Sequence, residues 1–282
     1  MKPNPQFLNQ PKSFWANVRT LSEAIGYTNK SDHQIKVPAP EEMCTALEKL
    51  GLDPAQIINA ERRTTKFGES LHAYFVFRAD LLNTFVEPRL MNDTQAKRMF
   101  SQLRKKLKPS CPIPMNKQSG NKKAPAFFTG IINMLIEAYS EGLACDFNPM
   151  RLTTITRDRT PLRTLARRVD GAFPSVVNPI AIWEIKEYYY TTTFGSRVAD
   201  GVYETLLDGM ELEELREHEQ IALKHYLMID AHYTWWECGR SYLCRLIDML
   251  HMGYVDEILF GSEVLERMPA IVHEWVAIVK TR

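Results

Sequence analysis

The chain has 282 residues, 45% of them hydrophobic and 24% charged, with a net charge of +1; this suffices for one large core or two ordinary domains and excludes a disordered or fibrous protein. No apolar run approaches the roughly 18 residues that cross a bilayer, and the opening MKPNPQFLNQPK lacks the apolar stretch of a secretory signal, so a cytoplasmic protein with no membrane partner is expected. The five cysteines, Cys44, Cys111, Cys145, Cys238 and Cys244, contain no C-x-x-C pair, which excludes a disulfide framework and a zinc ribbon.

The first half reads as helical. PKSFWANVRTLSEAIGY and APEEMCTALEKLGLDPAQII carry apolar residues at helical spacing, the second with a proline and two glutamates at its start and Gly51 at its end. SLHAYFVFRADLLNTFV is a long apolar helix, and NDTQAKRMFSQLRKKLK begins with a capping Asn92 or Asp93. Residues 109–125, PSCPIPMNKQSGNKKAP, are rich in Pro, Gly, Ser, Asn and Lys and form the clearest break. The expected organisation is therefore a helical, winged-helix-like DNA-binding region over 1–115 and a second domain over 116–282.

Beyond the break the pattern changes. AFFTGIINMLIEAYSEGL predicts a helix and MRLTTITRD a strand; LARRVDGAF and PIAIWEIKEYYYTTTF predict two strands around the turn FPSVVNP. A helical, acidic stretch from Arg197 to Ala222 follows, then HYLMIDAHYTWW as a strand, CGRSYLCRLIDMLHMG as a helix, VDEILFG as a short strand and EVLERMPAIVHEWVAIV as a closing helix. Alternating strands and helices indicate an α/β fold with a mixed central sheet flanked by helices.

The near-zero net charge conceals an asymmetry. No acidic residue occurs from Thr94 to Ile136, where Lys97, Arg98, Arg104, Lys105, Lys106, Lys108, Lys117, Lys122 and Lys123 lie, and Arg167 and Arg168 extend the basic tract. A neutral chain with one concentrated positive region presents it either to an anionic partner or to solvent. No G-x-x-x-x-G-K-[ST] occurs and no H-E-x-x-H, so neither a nucleotide cofactor nor that zinc site is expected. His225 and His232 read as packing residues, and Trp235 and Trp236 as core or dimer-interface material.

Three charges interrupt the apolar strands. Side chains alternate along IAIWEIKEYYY, so Glu184, Lys186 and Tyr188 share a face, with Glu184 and Lys186 about 6.6 Å apart. Asp170 lies on the preceding strand across a short turn, where antiparallel register brings it opposite or diagonal to Glu184. Two neighbouring carboxylates repel unless a cation lies between them, and such oxygen donors suit Mg²⁺, with Mn²⁺ able to replace it. A lysine two residues on would hold or deprotonate water and add positive charge. Together these parts describe phosphodiester hydrolysis.

Val169-Asp170 followed, after a turn, by Glu184-Ile185-Lys186, with an apolar helix before them, resembles the PD-(D/E)xK nuclease superfamily and in particular type II restriction endonucleases. The resemblance covers roughly residues 126–235, with Val169 standing where the family often has proline. It implies an αβββαβ core, a Mg²⁺-dependent endonuclease acting on double-stranded DNA, and a homodimer. It also implies an acidic residue on the preceding helix, for which Glu137 and Glu141 on the stripe Asn133, Glu137, Glu141 are the candidates. Lys105, Lys106, Lys122, Lys123, Arg167, Arg168, Ser196 and Arg197 are the expected DNA contacts, while Tyr188, Tyr189 and Tyr190 serve as contacts or as plain strand formers. The competing expectations are a repair or junction-resolving nuclease of the same superfamily and a non-catalytic DNA-binding protein on a decayed nuclease fold.

Overall fold

The structure is a computed structural model that describes residues 1–29, 31–116, 124–190 and 196–281, with the side chain of Ser196 outside the description. Helices α1 (Pro5–Leu8), α2 (Lys12–Ile25), α3 (Pro40–Lys49) and α4 (Lys66–Leu81) form the N-terminal region. Each boundary follows from a local cause. Gly26, at φ 97°, ends α2 by turning its N–H back to Ser22, a conformation that costs glycine little. Pro40 starts α3, with Glu41 and Glu42 complementing its positive end. The Thr65 hydroxyl accepts the Gly68 N–H at 3.0 Å and caps α4. The apolar stripes meet in one core of Phe14, Trp15, Leu21, Met43, Leu71 and Tyr74. Among the described residues this region has isolated bridges, Thr28 to Ile35 and Ile58 to Thr64, and no paired wing strands.

Helix α5 (Asp93–Leu107) is capped reciprocally by Asn92 and Gln95. It packs on α6 (Phe127–Tyr139) across the Pro- and Lys-rich break: Phe100 lies against Phe127 and over Gly130, where a Cβ would come within 2.6 Å of its ring. Composition marks a break at 109–125, yet α5 shares a core with α6 and with the closing helix α9 (Val264–Thr281).

The strands β1 (Asp146–Phe147), β4 (Gly171–Phe173), β5 (Ala181–Glu187), β6 (Lys224–Asp230) and β7 (Glu257–Phe260) form one mixed sheet in the order β1-β4-β5-β6-β7. Pairings β1/β4 and β4/β5 are antiparallel, whereas β5/β6 and β6/β7 are parallel. The parallel pairs require crossovers, supplied by α7 (Ser196–Glu219) and α8 (Arg240–His251). Trp183, Tyr226 and Met228 face α6 and α9, while Ile182 faces α7, and Leu227 and Ile229 face α8. Both faces of β5 and β6 are therefore covered, which is why these strands read as near-continuous apolar runs. No described helix is long and apolar enough to cross a membrane.

Several elements differ from the sequence expectation. The strand expected over LARRVDGAF forms only from Gly171, and the one over MRLTTITRD is β2 (Thr154–Arg157). It folds on an unforeseen β3 (Thr160–Thr164) as a separate two-stranded sheet. HYLMIDAHYTWW ends as a strand at Asp230 and continues as a π-helical turn, Tyr233–Cys238, that buries Trp235 and Trp236.

A buried ion pair joins the N-terminal helices to the sheet domain. Arg78 on α4, 1% exposed, donates from Nη1 to both oxygens of Asp248 on α8 at 3.0 Å, and the Tyr74 hydroxyl donates to Oδ1 at 2.6 Å. Removing one partner of such a pair strands the other charge in a dry core. Asp248→Ala is expected to lower unfolding free energy by about 3–5 kcal/mol and Arg78→Met/Asp248→Leu to recover most of it, as read by chemical denaturation.

Candidate active site

The register of β4 on β5 pairs Gly171 with Trp183 and continues one residue further, where the Asp170 N–H meets the Trp183 carbonyl at 3.1 Å. Asp170 is thus set beside Glu184. Its Oδ2 accepts the Ile185 N–H at 2.7 Å, and its own N–H also reaches Glu184 Oε1 at 3.2 Å. Gly171 makes this approach possible, because any Cβ there would lie 2.1 Å from the Trp183 indole. Lys186 stands two residues along the same face as Glu184 and donates from Nζ to Glu184 Oε2 at 2.9 Å.

The cluster extends beyond these three. Arg167 Nη2 reaches Glu184 Oε2 at 2.9 Å and Glu204 Oε2 at 3.3 Å, Arg167 Nη1 reaches Asp208 Oδ2 at 2.7 Å, and Lys186 Nζ reaches Glu204 Oε2 at 2.6 Å. Glu204 and Asp208 lie four residues apart on α7 and so point from one face of that helix at β5. Glu184 is 1% exposed, with both oxygens engaged by protein donors.

Four carboxylates thus surround two cations in a largely buried cluster, and burial is the first cause of the titration shifts there. Burial, then Glu184, raises Asp170 to about 6. Burial also works to raise Glu184, but Lys186 and Arg167 outweigh it and hold the carboxyl below its ordinary value. Burial opposes the charge of Lys186, yet Glu184 and Asp170 hold its ammonium well above the usual lysine range. Burial pushes Asp208 to about 7, and its Oδ1 has no partner in the structure. Adjacent Asp170 and Glu184 are hard oxygen donors of the type that Mg²⁺ takes in pairs while retaining water. Among the described residues no group of three or more His, Cys, Asp or Glu side chains is arranged to cage a metal.

At the end of β5 a cavity of about 810 Å³ opens, bordered by Asp170, Tyr188, Arg197, Asn133, Phe147 and Asn148 among others. Its wall is held from several sides. The Glu187 carboxylate accepts the Thr129 N–H and hydroxyl, each at 3.0 Å, at the start of α6; the helix's positive end favours that anion. The Tyr188 ring stacks on Trp235 at 5.7 Å, and the Thr234 hydroxyl holds the Tyr188 carbonyl at 2.8 Å. The Trp235 indole N–H reaches the Lys186 carbonyl at 3.4 Å. The π-helical turn after β6 therefore braces the strand that carries Glu184 and Lys186.

Of the residues singled out from sequence, Asp170, Glu184 and Lys186 come together. Glu137 does not join them: its carboxylate accepts the Ser110 N–H at 3.0 Å and the Ser110 hydroxyl, because the chain after α5 folds back over α6 there. Glu141 pairs with Lys280 on α9 instead. Arg167 turns inward to the carboxylates rather than outward to phosphates, drawn by Asp208 and Glu184. Lys105 and Lys106 are exposed on α5, and Arg168 is exposed near Met150. Lys122 and Lys123 lie outside the described residues, Ser196 opens α7, and Arg197 borders the cavity. His225 is buried with Nδ1 on the Tyr254 carbonyl at 2.8 Å. Glu204, Asp208 and Glu187 escape sequence reading; the i, i+4 pair on α7 is the one signal pointing to the first two.

A family model described as Domain of unknown function (DUF7687) matches residues 91–275, and a second, described as Domain of unknown function (DUF7690), matches residues 1–85. No curated protein and no solved structure matches the chain.

At the end of β6, Asp230 is fully buried, and burial raises its carboxyl to about 8. The unfolded chain releases that proton near pH 4, so the folded state binds more protons between these values. The contribution is complete below the unfolded pKa and is lost as pH rises through about 8. Asp208, at about 7, acts in the same direction. Denaturant midpoints are expected to fall from pH 5 to pH 9, and Asp230→Asn to flatten that slope.

Proposed function

We propose that this chain, which belongs to the family described as Domain of unknown function (DUF7687), is a divalent-metal-dependent nuclease that hydrolyses phosphodiester bonds in DNA. One observation carries the reading: across the antiparallel β4/β5 pair, Asp170 sits beside Glu184, and Lys186 reaches the same Glu184 carboxylate at 2.9 Å. The connectivity supports it. A helix (α6), three antiparallel strands (β1, β4, β5), a crossover helix (α7) and a parallel strand (β6) follow in the order αβββαβ, with the β2/β3 hairpin inserted.

In this reading Asp170 and Glu184 hold Mg²⁺. When bound, the ion lowers the pKa of a coordinated water and stabilises charge developing on the phosphoryl oxygens. Burial, and after it the Glu184 charge, raises Asp170, and a cation held there would offset the second of these. Glu184 changes donors to take part, because Arg167 and Lys186 already occupy its Oε2. Lys186 stays charged near neutral pH and acts as a donor that orients water and offsets negative charge rather than as the base. Glu204 fixes the ammonium at 2.6 Å, and Arg167, anchored by Asp208, holds Glu184 from the other side. Arg197 at the cavity rim and exposed Lys105, Lys106 and Arg168 supply cations for the phosphate backbone.

Purified protein incubated with plasmid, linear duplex and branched DNA, in Mg²⁺ or in EDTA, tests the proposal. Cleavage is expected in Mg²⁺ alone, with Asp170→Asn inactive and Lys186→Ala slower by roughly 10²- to 10³-fold while still binding DNA in a salt-sensitive way. Absence of metal-dependent cleavage on all three substrates would sink it.

A further inference from the structure

The cavity beside Asp170 is more elaborate than hydrolysis of a phosphodiester requires. Its volume, about 810 Å³, lies within the range of small-ligand pockets, roughly 300–1,000 Å³. That is room for a single nucleotide and part of a neighbour, not for paired strands. Its apolar wall is made of flat or compact surfaces, Pro112, Pro114, Met115, Phe147 and Ile185. Three amides interrupt it: Asn116, Asn133 and Asn148. Asn133 is held by its own Nδ2, which donates to the Pro112 carbonyl at 3.0 Å. Side-chain amides offer a donor and an acceptor on one plane, matching the edge of a nucleobase, and aromatic faces accept a base by stacking whatever its identity. Arg197, exposed at the start of α7, borders the same opening as Asp170, so a phosphate between them would meet a cation on one side and the proposed metal ligand on the other.

Resting on the nuclease reading, we infer that this cavity receives one unstacked nucleotide of the substrate, its base among Phe147, Pro112, Asn133 and Asn148 and its phosphate between Arg197 and Asp170. Extruding a base from intact duplex costs unpairing and unstacking energy that a single strand or frayed end does not pay. The substrate class that follows is DNA with an unpaired nucleotide at the cut, such as an end, gap or flap, in preference to continuous duplex.

Mononucleotides contain no phosphodiester and can be titrated in Mg²⁺ without being cut. Calorimetry with the four deoxynucleoside 5′-monophosphates, deoxyribose 5-phosphate and inorganic phosphate is expected to show the nucleotides binding roughly tenfold or more tighter than the sugar phosphate. Phe147→Leu, which keeps an apolar filler, and Asn133→Ala should each shrink that difference, whereas Arg197→Ala should weaken all phosphate ligands together; melting curves verify that each variant is folded. Equal affinity for nucleotide and sugar phosphate, or a difference untouched in both folded cavity variants, would overturn the inference. Cleavage in Mg²⁺ without a base contribution would leave the nuclease reading standing and remove the pocket. Base-dependent binding without cleavage of any DNA would do the reverse.

Discussion

Glu184 is the constraint around which the centre of the molecule is arranged. A carboxylate at 1% exposure in the middle of a sheet is costly unless every oxygen finds a donor. Here the donors come from three places: the backbone of Asp170, the ammonium of Lys186 and the guanidinium of Arg167. Those donors then need partners of their own, which α7 supplies as Glu204 and Asp208. The Glu184 carboxylate thereby ties α7, the turn that presents Arg167 and the residue before β4 to one point on β5. Apolar packing alone would tolerate several arrangements of the same layers.

The same arithmetic connects structure to chemistry. The cluster satisfies Glu184, while burial, with the Glu184 charge beside it, raises the carboxyls of Asp170 and Asp208. Perturbed carboxylates are more frequent at functional sites than elsewhere, and Asp170 is the residue of the cluster that borders the cavity.

Much of this was legible from the chain. The period-2 alternation of IAIWEIKEYYY put Glu184 and Lys186 on one face, and the short turn after AF put Asp170 alongside; the helix-strand order around them gave the α/β class. What escaped notice had physical reasons. β1 has two residues and β3 is TPLRT, neither long nor apolar enough to stand out. The run HYLMIDAHYTWW is rich in apolar and aromatic residues throughout, and such a run does not distinguish strand from buried helix; in the structure the chain leaves the strand at Asp230 and buries Trp235 and Trp236 in a π-helical turn. Glu204 and Asp208 resembled a solvated acidic face, because a helical sequence does not reveal which face a sheet will cover. Glu137 shared a stripe with Asn133, but Ser110 claimed it from a loop whose path composition does not determine. Proline and lysine at 109–125 marked a boundary in composition, whereas Phe100 over Gly130 makes the two sides one core.

Asp230 adds a mechanical property to the molecule. Its buried carboxyl receives the N–H of Met91 at 2.7 Å and of Ala231 at 2.9 Å, and the hydroxyl of Tyr189. The segment leaving the N-terminal helices, the end of β6 and the continuation of β5 are thus pinned to a single residue, while Arg78 and Asp248 clamp α4 to α8 a short way along. Both contacts tie the N-terminal half of the chain to the sheet domain through buried polar groups. Loss of either contact leaves a buried charged or polar group without its partner where the N-terminal helices meet the sheet domain.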